Sequence, residues 1–512
     1  MVTKTLGSAV YGVSASMISI EVSIVKGTHF FLVGLPDSAV KESQHRIESV
    51  LKHIGREMPR QRVIVNLAPA DIRKEGASYD LPIALCILHA SQQFHFEELE
   101  NYVILGELAL NGELRPIKGA LPIAIEARKR KYKGLVIPQE NAAEAAIVND
   151  LDIIAVKHIQ EAIDFFTGTK TIAPTTVDTR ALFEHNVSEY ALDFADVQGQ
   201  ESIKRSLEIA AAGSHNVIMI GPPGAGKTML AKRIPTILPP FTLEEALETT
   251  KIYSVIGKLG KQEGLMATRP FRAPHHTISD VALVGGGSIP QPGEISLAHN
   301  GVLFLDELPE FRRAVLEVMR QPLEERQVTI SRAKIAVDFP ASFMLIASMN
   351  PCPCGYYNHP TKECVCDAAT VRRYLNKISG PLLDRIDLHV EVTPVSFDQM
   401  TARRPTEKSA VIRERVLKAR ALQQHRFQGS KDVHANAMMP STMAKDVCKI
   451  SKAGQNLLKA ATEKLGLSAR AYDRILKVAR TIADLADKED IKEEHLAEAI
   501  QYRSLDREGW GG

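Results

Sequence analysis

The 512-residue chain lacks any run of about 18 consecutive apolar residues, so the sequence predicts no transmembrane helix. Its N-terminal segment also lacks the continuous apolar centre of a signal peptide, and we therefore expect a cytoplasmic protein with no membrane partner. Cysteine is scarce, at six residues, which excludes a small disulfide-stapled fold. A charge excess is absent too, because 63 Lys and Arg face 61 Asp and Glu. Any binding of nucleic acid must therefore come from a local basic surface.

What the chain has is an ordinary globular composition, with 45% hydrophobic and 24% charged residues. Its length predicts about three domains. The first part mixes β-rich runs with helical periodicity, the middle alternates strands with helices as parallel sheets do, and the last part is helical. A Thr- and Pro-containing stretch without periodicity separates the first two parts. The predicted boundaries are 1–170 for the first domain, 171–193 for a linker, 194–394 for the α/β core and 395–512 for the helical domain.

Residues 221–228 read GPPGAGKT, which fits the phosphate-loop pattern G-x-x-x-x-G-K-[ST]. The apolar run VIMI precedes the pattern and a helical pattern follows it, as the strand–loop–helix context requires. Glycines let the backbone N–H groups turn inward to phosphate oxygens, and the next helix begins with its positive end towards them. Lys227 would reach the β- and γ-phosphates, and Thr228 would hold Mg²⁺. The predicted nucleotide-binding residues are Gly221, Pro222, Pro223, Gly224, Ala225, Gly226, Lys227, Thr228 and Asp306.

Two further apolar strands end in polar residues. GVLFLDE places Asp306 and Glu307 at the carboxyl edge of a parallel sheet, where ligands bind. Asp306 would ligate Mg²⁺, and Glu307 would orient and deprotonate the attacking water. FMLIASMN ends in Asn350, which would position that water beside the γ-phosphate, although an asparagine in an ordinary turn fits the pattern too.

Two arginines have the chemistry to neutralise the charge that builds up during phosphoryl transfer. Arg385 lies in GPLLDRIDLHV, and we expect it to act as an arginine finger from a neighbouring subunit. Arg470 lies in LSARAYDR at a helix start, and we expect it to contact the nucleotide of its own subunit. Ordinary salt bridges remain the alternative for both.

Together these residues resemble an AAA+ ATPase of the Mg-chelatase-like type, in the competence protein ComM (YifB) family. The resemblance spans essentially the whole chain and is carried by DFADVQGQ, GPPGAGKT, FRAPHHTISDVALVGGG, GEISLAHNGVLFLDEL, NPCPCG, GPLLDRIDLHVEV and SARAYDRILKVARTIADL. It implies an α/β fold with an AAA+ P-loop NTPase core and a C-terminal helical lid. It also implies a ring, with six subunits expected, that binds ATP at subunit interfaces. The family's link to recombination and natural transformation implies a motor that drives branch migration of DNA.

A predicted β-hairpin precedes the strand that ends in Asn350. VTISRAKIAVDF has apolar residues on both arms of a turn, with Arg332 and Lys334 near the tip. In a ring such a tip would face the pore and bind DNA phosphates, which supply most of sequence-independent affinity. The glycine-rich stretch Leu283–Gly293 is a candidate second pore loop. A solvated hairpin with charged ends is the alternative.

Four of the six cysteines lie within fifteen residues, as Cys352-x-Cys354 and Cys364-x-Cys366. Four thiolates suit tetrahedral Zn²⁺, although C-x-C is tighter than the usual spacing. His359 would be able to replace one ligand. Four reduced cysteines on an excursion loop are the alternative interpretation.

The N-terminal domain resembles the Lon-type Ser-Lys proteases (an S5-like fold) in two segments. Ser78, in IRKEGASYDLPIALCI, occupies the position of their nucleophile. In GELALNGELRPIKGALPIA, however, the position of the catalytic lysine holds Leu121, and Lys118 is three residues away. Without an amine to act as base, we expect a Lon-like fold kept for assembly or DNA contact.

Three other functions remain open at this point. The chain would also suit the ATPase subunit of a metal chelatase, an ATP-dependent Lon-like protease, or a chaperone that remodels proteins. DNA-stimulated hydrolysis would favour the DNA motor, whereas porphyrin-dependent hydrolysis, casein degradation that needs Ser78, or protein-stimulated hydrolysis would favour these alternatives.

Overall fold

The computed structural model describes residues 2–180, 183, 190–260, 264–287, 290–332, 335–357, 359, 361–394, 406–430 and 433–503. Contacts divide the chain into two compact units. The first comprises Met1–Val187 and Thr242–Ala267, and the second comprises Ser188–Phe241 and Thr268–Gly512. Thr242–Ala267 thus packs with the N-terminal residues, although the sequence pattern placed it inside 194–394. No described helix combines the length and the apolar character that crossing a bilayer requires.

The first unit is built on a seven-stranded mixed sheet in the order β3-β4-β2-β1-β5-β8-β9. Side chains alternate along β2, where Met17, Ile18, Ile20 and Val22 are buried, whereas all of β8 is buried as expected of a covered parallel strand. The seven strands of the sheet are β1 Val2–Tyr11, β2 Ser14–Val25, β3 Phe30–Val33, β4 Arg62–Ala68, β5 Tyr102–Ile104, β8 Gly134–Pro138 and β9 Asp152–Val156. Two short strands, β6 Glu107–Leu108 and β7 Leu114–Arg115, pair with each other outside this sheet.

The helices of this unit differ in length from the sequence pattern. The apolar periodicity of Pro36–Ile54 predicts one helix, but two form, because Glu42 ends the first and begins the second. The helices before the linker are α1 Ser38–Lys41, α2 Ser43–His53, α3 Asp80–Ala90, α4 Ala120–Lys129, α5 Gln139–Ala145 and α6 Ile159–Phe166.

The second unit contains a five-stranded sheet in the order β11-β14-β17-β10-β18, and each neighbouring pair is parallel. The parallel sheet predicted for this region is therefore confirmed. The strands of the unit are β10 Val217–Ile220, β11 Phe271–Arg272, β12 Gly285–Gly286, β13 Gln291–Pro292, β14 Val302–Leu305, β15 Gln327–Arg332, β16 Ile335–Pro340, β17 Met344–Met349 and β18 Leu388–Glu391.

The helices of the remaining chain cover this sheet and form a helical C-terminal region, except for α9, which belongs to the first unit. They are α7 Glu201–Gly213, α8 Lys227–Arg233, α9 Leu243–Ile256, α10 Asp280–Val284, α11 Glu294–Leu297, α12 Arg313–Val318, α13 Arg320–Glu325, α14 Ala368–Leu375, α15 Gly380–Leu383, α16 Ser409–Arg426, α17 Ser441–Val447, α18 Lys452–Leu465, α19 Ala469–Leu485 and α20 Glu493–Gln501.

The C-terminal helices share one core with the sheet. The apolar face predicted for Ala469–Leu485 is buried in α19, including Ile475, Val478 and Ile482. Polar contacts fix the same helix: Arg426 of α16 forms a two-pronged ion pair with Asp484, with nitrogen–oxygen distances of 2.8 and 2.5 Å. The helix that carries Arg470 is therefore held at its far end as well as along its apolar face.

Candidate functional site

The predicted phosphate loop follows β10 and leads directly into α8. Gly224 and Gly226 take positive φ angles of 79° and 87°, which other residues adopt only with strain. Lys227 is 9% exposed, and its Nζ donates to the carbonyl oxygens of Gly221 at 2.7 Å and Pro222 at 3.0 Å. The lysine is thus folded back over the loop, where a phosphate group would compete for the same ammonium.

Three strand ends of the sheet meet at this loop. Lys227 Nζ also donates to Asn350 Oδ1 at 3.1 Å, which brings together the ends of β10 and β17. Thr228 Oγ1 donates to Asp306 Oδ2 at 2.8 Å, which adds the end of β14. The Ser348 hydroxyl bonds the other Asp306 oxygen. The structure therefore places four of the predicted site residues at one carboxyl edge of the sheet.

Burial and nearby carboxylates act in opposite directions on Lys227. Burial lowers the pKa of its ammonium, whereas the charges of Asp306 and Glu307 oppose that shift. A triphosphate would add negative charge beside the ammonium and raise this pKa again. The Thr228 hydroxyl and the Asp306 carboxylate are the hard oxygen donors that Mg²⁺ prefers. The residues present therefore fit the ATP and Mg²⁺ that the AAA+ family implies.

Glu307 has an unusual backbone for its residue type. Its φ is +54°, in the left-handed region, and its N–H donates to Asp306 Oδ1 at 3.1 Å. Such a conformation costs about 1–3 kcal/mol for a residue other than glycine and clusters at functional sites. Its carboxylate is half exposed and lies 3.5 Å from Nδ1 of His276. Glu307, the expected general base, thus meets His276, to which the sequence patterns assign no role.

The two predicted arginines lie elsewhere. Arg385 is 7% exposed; one of its terminal nitrogens pairs with Glu324 at 2.7 Å, and the other donates to the Pro381 carbonyl at 2.5 Å. Within the described residues, its Nε has no hydrogen-bond partner. No contact between described residues joins Arg385 to the phosphate loop of the same chain. The Arg385 guanidinium is therefore largely buried, with both terminal nitrogens held by partners in its own chain.

Arg385 belongs to the opposite, amino edge of the sheet. Asp387, two residues later, precedes β18, and its N–H donates at 3.0 Å to Asn216, which precedes β10. The phosphate loop follows β10, so the four residues of that strand, about 13 Å at 3.3 Å each, separate the two sites. Ser468 Oγ contacts Asp384 at 3.4 Å and caps α19. That contact places the start of α19, which carries exposed Arg470, beside the segment that contains Arg385.

A buried ionic network holds this amino edge. Burial opposes ionisation of Asp387, but Arg474 at 3.1 Å and His215 at 3.2 Å lower the pKa of its carboxyl well below the usual range. His215 Nε2 also lies 2.8 Å from the hydroxyl of Thr481 in α19. No sequence pattern predicts this network. Its members are far apart in sequence, and the only available signal was an acidic residue inside the apolar stretch DRIDLHV.

The four clustered cysteines come together. Their sulfur atoms all lie within 4.8 Å of one another, and the Cys352–Cys354, Cys354–Cys364 and Cys352–Cys364 separations are 3.3, 3.5 and 3.7 Å. Tetrahedral Zn²⁺ with bonds of about 2.3 Å needs sulfurs about 3.8 Å apart, so the four thiols fit a metal ion. His359 is outside the group, because its Nδ1 accepts from Thr361 N and Lys362 N.

The hairpin predicted for Val328–Phe339 is confirmed as β15 paired antiparallel with β16. Lys334 and the side chain of Arg332 lie outside the described residues. In the second candidate loop, β12 pairs with β13. A Cβ on Gly285 would lie 2.7 Å from Ile330 Cδ1, so the second candidate loop touches the β15 arm of the hairpin.

The Lon-like segments carry no Ser-Lys pair among the described contacts. Leu121 is fully buried, and its N–H donates to Glu144 at 2.9 Å. Glu144 also accepts from the Ser254 hydroxyl, and burial raises the pKa of its carboxyl. Within the described residues, no hydrogen bond links Ser78 to Lys118.

Comparisons with known proteins address the family directly. Three family models match the chain. The model described as magnesium chelatase, subunit ChlI, matches residues 193–400, and the model described as subunit ChlI of Mg-chelatase matches residues 20–141. The model described as magnesium chelatase, subunit ChlI C-terminal, matches residues 406–503. Competence protein ComM of Haemophilus influenzae is 45% identical over 500 residues, 97% of this chain and 96% of the relative. The uncharacterized protein YifB of Escherichia coli is 44% identical over 505 residues, 98% and 96% of the two chains.

A partial relative supports the Lon resemblance: Lon protease 2 of Bacillus subtilis is 33% identical over 154 residues, 27% of this chain and 26% of the relative. The predicted fold class is confirmed by the parallel sheet, the family-model matches and this partial similarity. The full-length matches to ComM and YifB confirm the predicted family. The chain belongs to the Mg-chelatase-like AAA+ ATPases of the ComM/YifB family.

Proposed function

We propose that this ATPase works as a ring, with six subunits expected, that moves branched or single-stranded DNA during recombination. One observation carries the proposal. The β15–β16 hairpin lies in the chain between β14, which is followed by Asp306, and β17, which is followed by Asn350. A change at the γ-phosphate would therefore act on both strands that flank the hairpin. Arg332 and Lys334, near its tip, would bind backbone phosphates without regard to sequence.

The residues at the carboxyl edge supply the chemistry of hydrolysis. Lys227 would leave its carbonyl partners to neutralise the β- and γ-phosphates, and Thr228 with Asp306 would hold Mg²⁺, which shields the phosphate charge when bound. Asn350 would orient the attacking water, and Glu307 would take its proton. The hydrogen bond from Lys227 to Asn350 supports these assigned roles, because a movement of Lys227 towards phosphate would also release the Asn350 amide to bind water.

We also propose that both arginines serve the nucleotide of the adjacent subunit. Arg385 and Arg470 lie at the edge of the sheet opposite the phosphate loop of their own chain, where a neighbour in a ring would meet them. A guanidinium from the neighbour would neutralise charge that develops on the γ-phosphoryl group. ATP hydrolysis would then require contact between two copies of the chain.

The cysteine cluster fits Zn²⁺, and we propose that each chain binds one zinc ion through Cys352, Cys354, Cys364 and Cys366. The three short sulfur separations support four-thiolate coordination. Metal analysis should find about one zinc per chain. A Cys→Ser change at all four positions should remove it, whereas Cys86→Ser, at a buried cysteine of the first unit, should not.

A synthetic Holliday junction tests the motor directly. The wild-type chain should separate the junction in the presence of ATP, whereas Lys227→Ala and Glu307→Gln should not. Arg332→Ala with Lys334→Ala should retain ATP hydrolysis without DNA but lose its stimulation by DNA. Unchanged DNA affinity and stimulation in that double variant would remove the hairpin from the DNA interface.

The chelatase alternative has specific support, because the three matching family models are all described as ChlI, and one of them covers residues 20–141. The presence of the Lon-like region therefore does not distinguish a chelatase subunit from a DNA motor. ATP hydrolysis stimulated by a porphyrin and unaffected by DNA would favour the chelatase. Stimulation by branched DNA alone would favour the motor.

A further inference from the structure

The cysteine loop packs directly on the phosphate loop. Gly355, between the two cysteine pairs, has a φ of +85°, and a Cβ built on it would lie 2.6 Å from Cδ of Pro223. Only glycine allows this approach, because real Cβ atoms do not come so close to a proline ring. The backbone of the cysteine loop therefore forms one wall of the phosphate loop.

The cysteine loop begins directly after Asn350, the residue proposed to lie beside the γ-phosphate. Asn350, which binds Lys227, is followed by Pro351 and then by Cys352, which is fully buried. Tyr357 N donates to Cys352 Sγ at 3.3 Å, so the loop folds around this sulfur. Only Pro351 thus separates the proposed metal ligand Cys352 from Asn350, the amide expected to sense phosphate.

The far end of the loop returns to the same residue. After Cys366, Asp367 caps α14 by accepting from Thr370 N at 2.7 Å. Seven residues after Asp367, Tyr374 is 6% exposed; burial raises the pKa of its phenol, and the nearby backbone of Asn350 opposes that shift. Both ends of the loop therefore lie near Asn350, and Gly355 touches Pro223 between them.

We infer that metal binding at Cys352, Cys354, Cys364 and Cys366 holds this loop against Pro223 and Asn350, so that metal and ATP bind with positive cooperativity. The inference rests on the zinc site proposed above, and it goes beyond that site by assigning the metal to nucleotide binding. Without a central ion nothing covalent joins the cysteine pairs, and the loop gains conformations that do not support the phosphate loop. Coupling of binding sites is reciprocal, so each ligand must raise the affinity of the other by the same factor.

Two equilibrium measurements on the full-length Glu307→Gln chain test the inference. A fluorescent ATP analogue, in excess Mg²⁺, should bind about tenfold more weakly after a zinc-selective chelator has removed the metal. Zinc affinity, measured by competition with a chelator of known affinity, should rise by the same factor when the nucleotide is saturating. Added Zn²⁺ should restore nucleotide binding.

A matched glycine pair separates the contact from general destabilisation. Gly355→Ala should keep its zinc and bind nucleotide more weakly, because the new methyl group meets Pro223. Gly429→Ala has a similar φ of +92° and nothing within 4 Å of the added atom, so it should bind nucleotide as the parent does. Equal losses in both variants would contradict the role of the contact.

The outcomes distinguish this inference from the proposals that precede it. Bound zinc whose removal leaves nucleotide affinity unchanged would overturn the coupling and leave the zinc site intact. Absence of zinc in the purified chain would overturn both. Reciprocal coupling in a chain that is inactive on DNA junctions would support the inference and count only against the DNA motor.

Discussion

A mixture of two inactive variants, Lys227→Ala and Arg385→Ala, should regain ATPase activity if each site takes these residues from neighbouring subunits. Loss of an arginine finger lowers kcat by about 10³–10⁵-fold. Lys227→Ala removes the ammonium at the phosphate loop, so each variant alone should be nearly inactive. In rings assembled at random from equal amounts of the two variants, an interface between adjacent subunits holds a complete site when an Arg385→Ala subunit supplies Lys227 and its Lys227→Ala neighbour supplies Arg385. That combination has a probability of about one quarter, so activity should return to about 25% of wild type.

The same assay decides the side on which Arg470 acts. If Arg470 joins Arg385 at the neighbour's nucleotide, Arg470→Ala mixed with Lys227→Ala should also recover about one quarter of the activity. A mixture of Arg385→Ala and Arg470→Ala should then recover none, because one subunit must supply both arginines. If Arg470 acts within its own subunit, the two results are exchanged. Each readout is steady-state phosphate release after subunit exchange, which labelled subunits verify.

A control variant guards against exchange artefacts. Arg130→Ala, in an exposed pair with Glu126 in the first unit, should keep full activity alone. The reasoning is refuted if the Lys227→Ala and Arg385→Ala mixture stays at the level of its separate components while exchange is demonstrated. Arg385 would then be a structural partner of Glu324, which was the alternative that the sequence left open.

Three more changes have directions set by the structure. Asp387→Asn should lower the free energy of unfolding by about 3–5 kcal/mol in thermal unfolding, because Arg474 loses its buried partner. The folded state depresses the pKa of Asp387, so the stability that this pair contributes to the wild type should fall only when strongly acid pH protonates the carboxylate. The variant should lack that pH dependence. His276→Ala should lower kcat for ATP about tenfold at unchanged KM, because it positions Glu307, and an equal effect on KM would contradict this role. Burial raises the pKa of the Glu144 carboxyl, so its ionisation lowers the stability of the fold as the pH rises above the usual carboxyl range. In differential scanning fluorimetry, Glu144→Gln should therefore raise the Tm by about 2 °C at pH 8 and have less effect at pH 5.

The residues at the carboxyl edge were predictable because local rules determine them. GPPGAGKT demands a strand before it and a helix after it, and the carboxyl ends of neighbouring parallel strands must meet, so Asp306 and Asn350 had to approach Lys227. The hairpin followed from alternation on both sides of a turn. In each case the information lies within about ten residues of the side chain concerned.

The amino edge was not predictable by these rules. Asp387, His215, Arg474 and Thr481 meet across 266 residues of sequence, and no spacing pattern relates them. The packing of Thr242–Ala267 with the first unit was missed for the same reason, since α9 has the apolar pattern of any buried helix. Tertiary contacts decide such cases, and a single sequence carries no local trace of them.

The two edges of the five-stranded sheet have different requirements. The carboxyl edge must rearrange when phosphate arrives, and there Lys227 is held by carbonyl oxygens and one amide, which a stronger anion displaces. In the proposed ring the amino edge would present its arginines in a fixed position, and there buried Asp387 is held by the partly exposed Arg474, a buried histidine and a backbone N–H. Breaking a buried pair costs about 3–5 kcal/mol, whereas neutral hydrogen bonds contribute about 1 kcal/mol each. In the proposed ring, nucleotide binding would therefore move the carboxyl edge of one subunit against a rigid amino edge of the next.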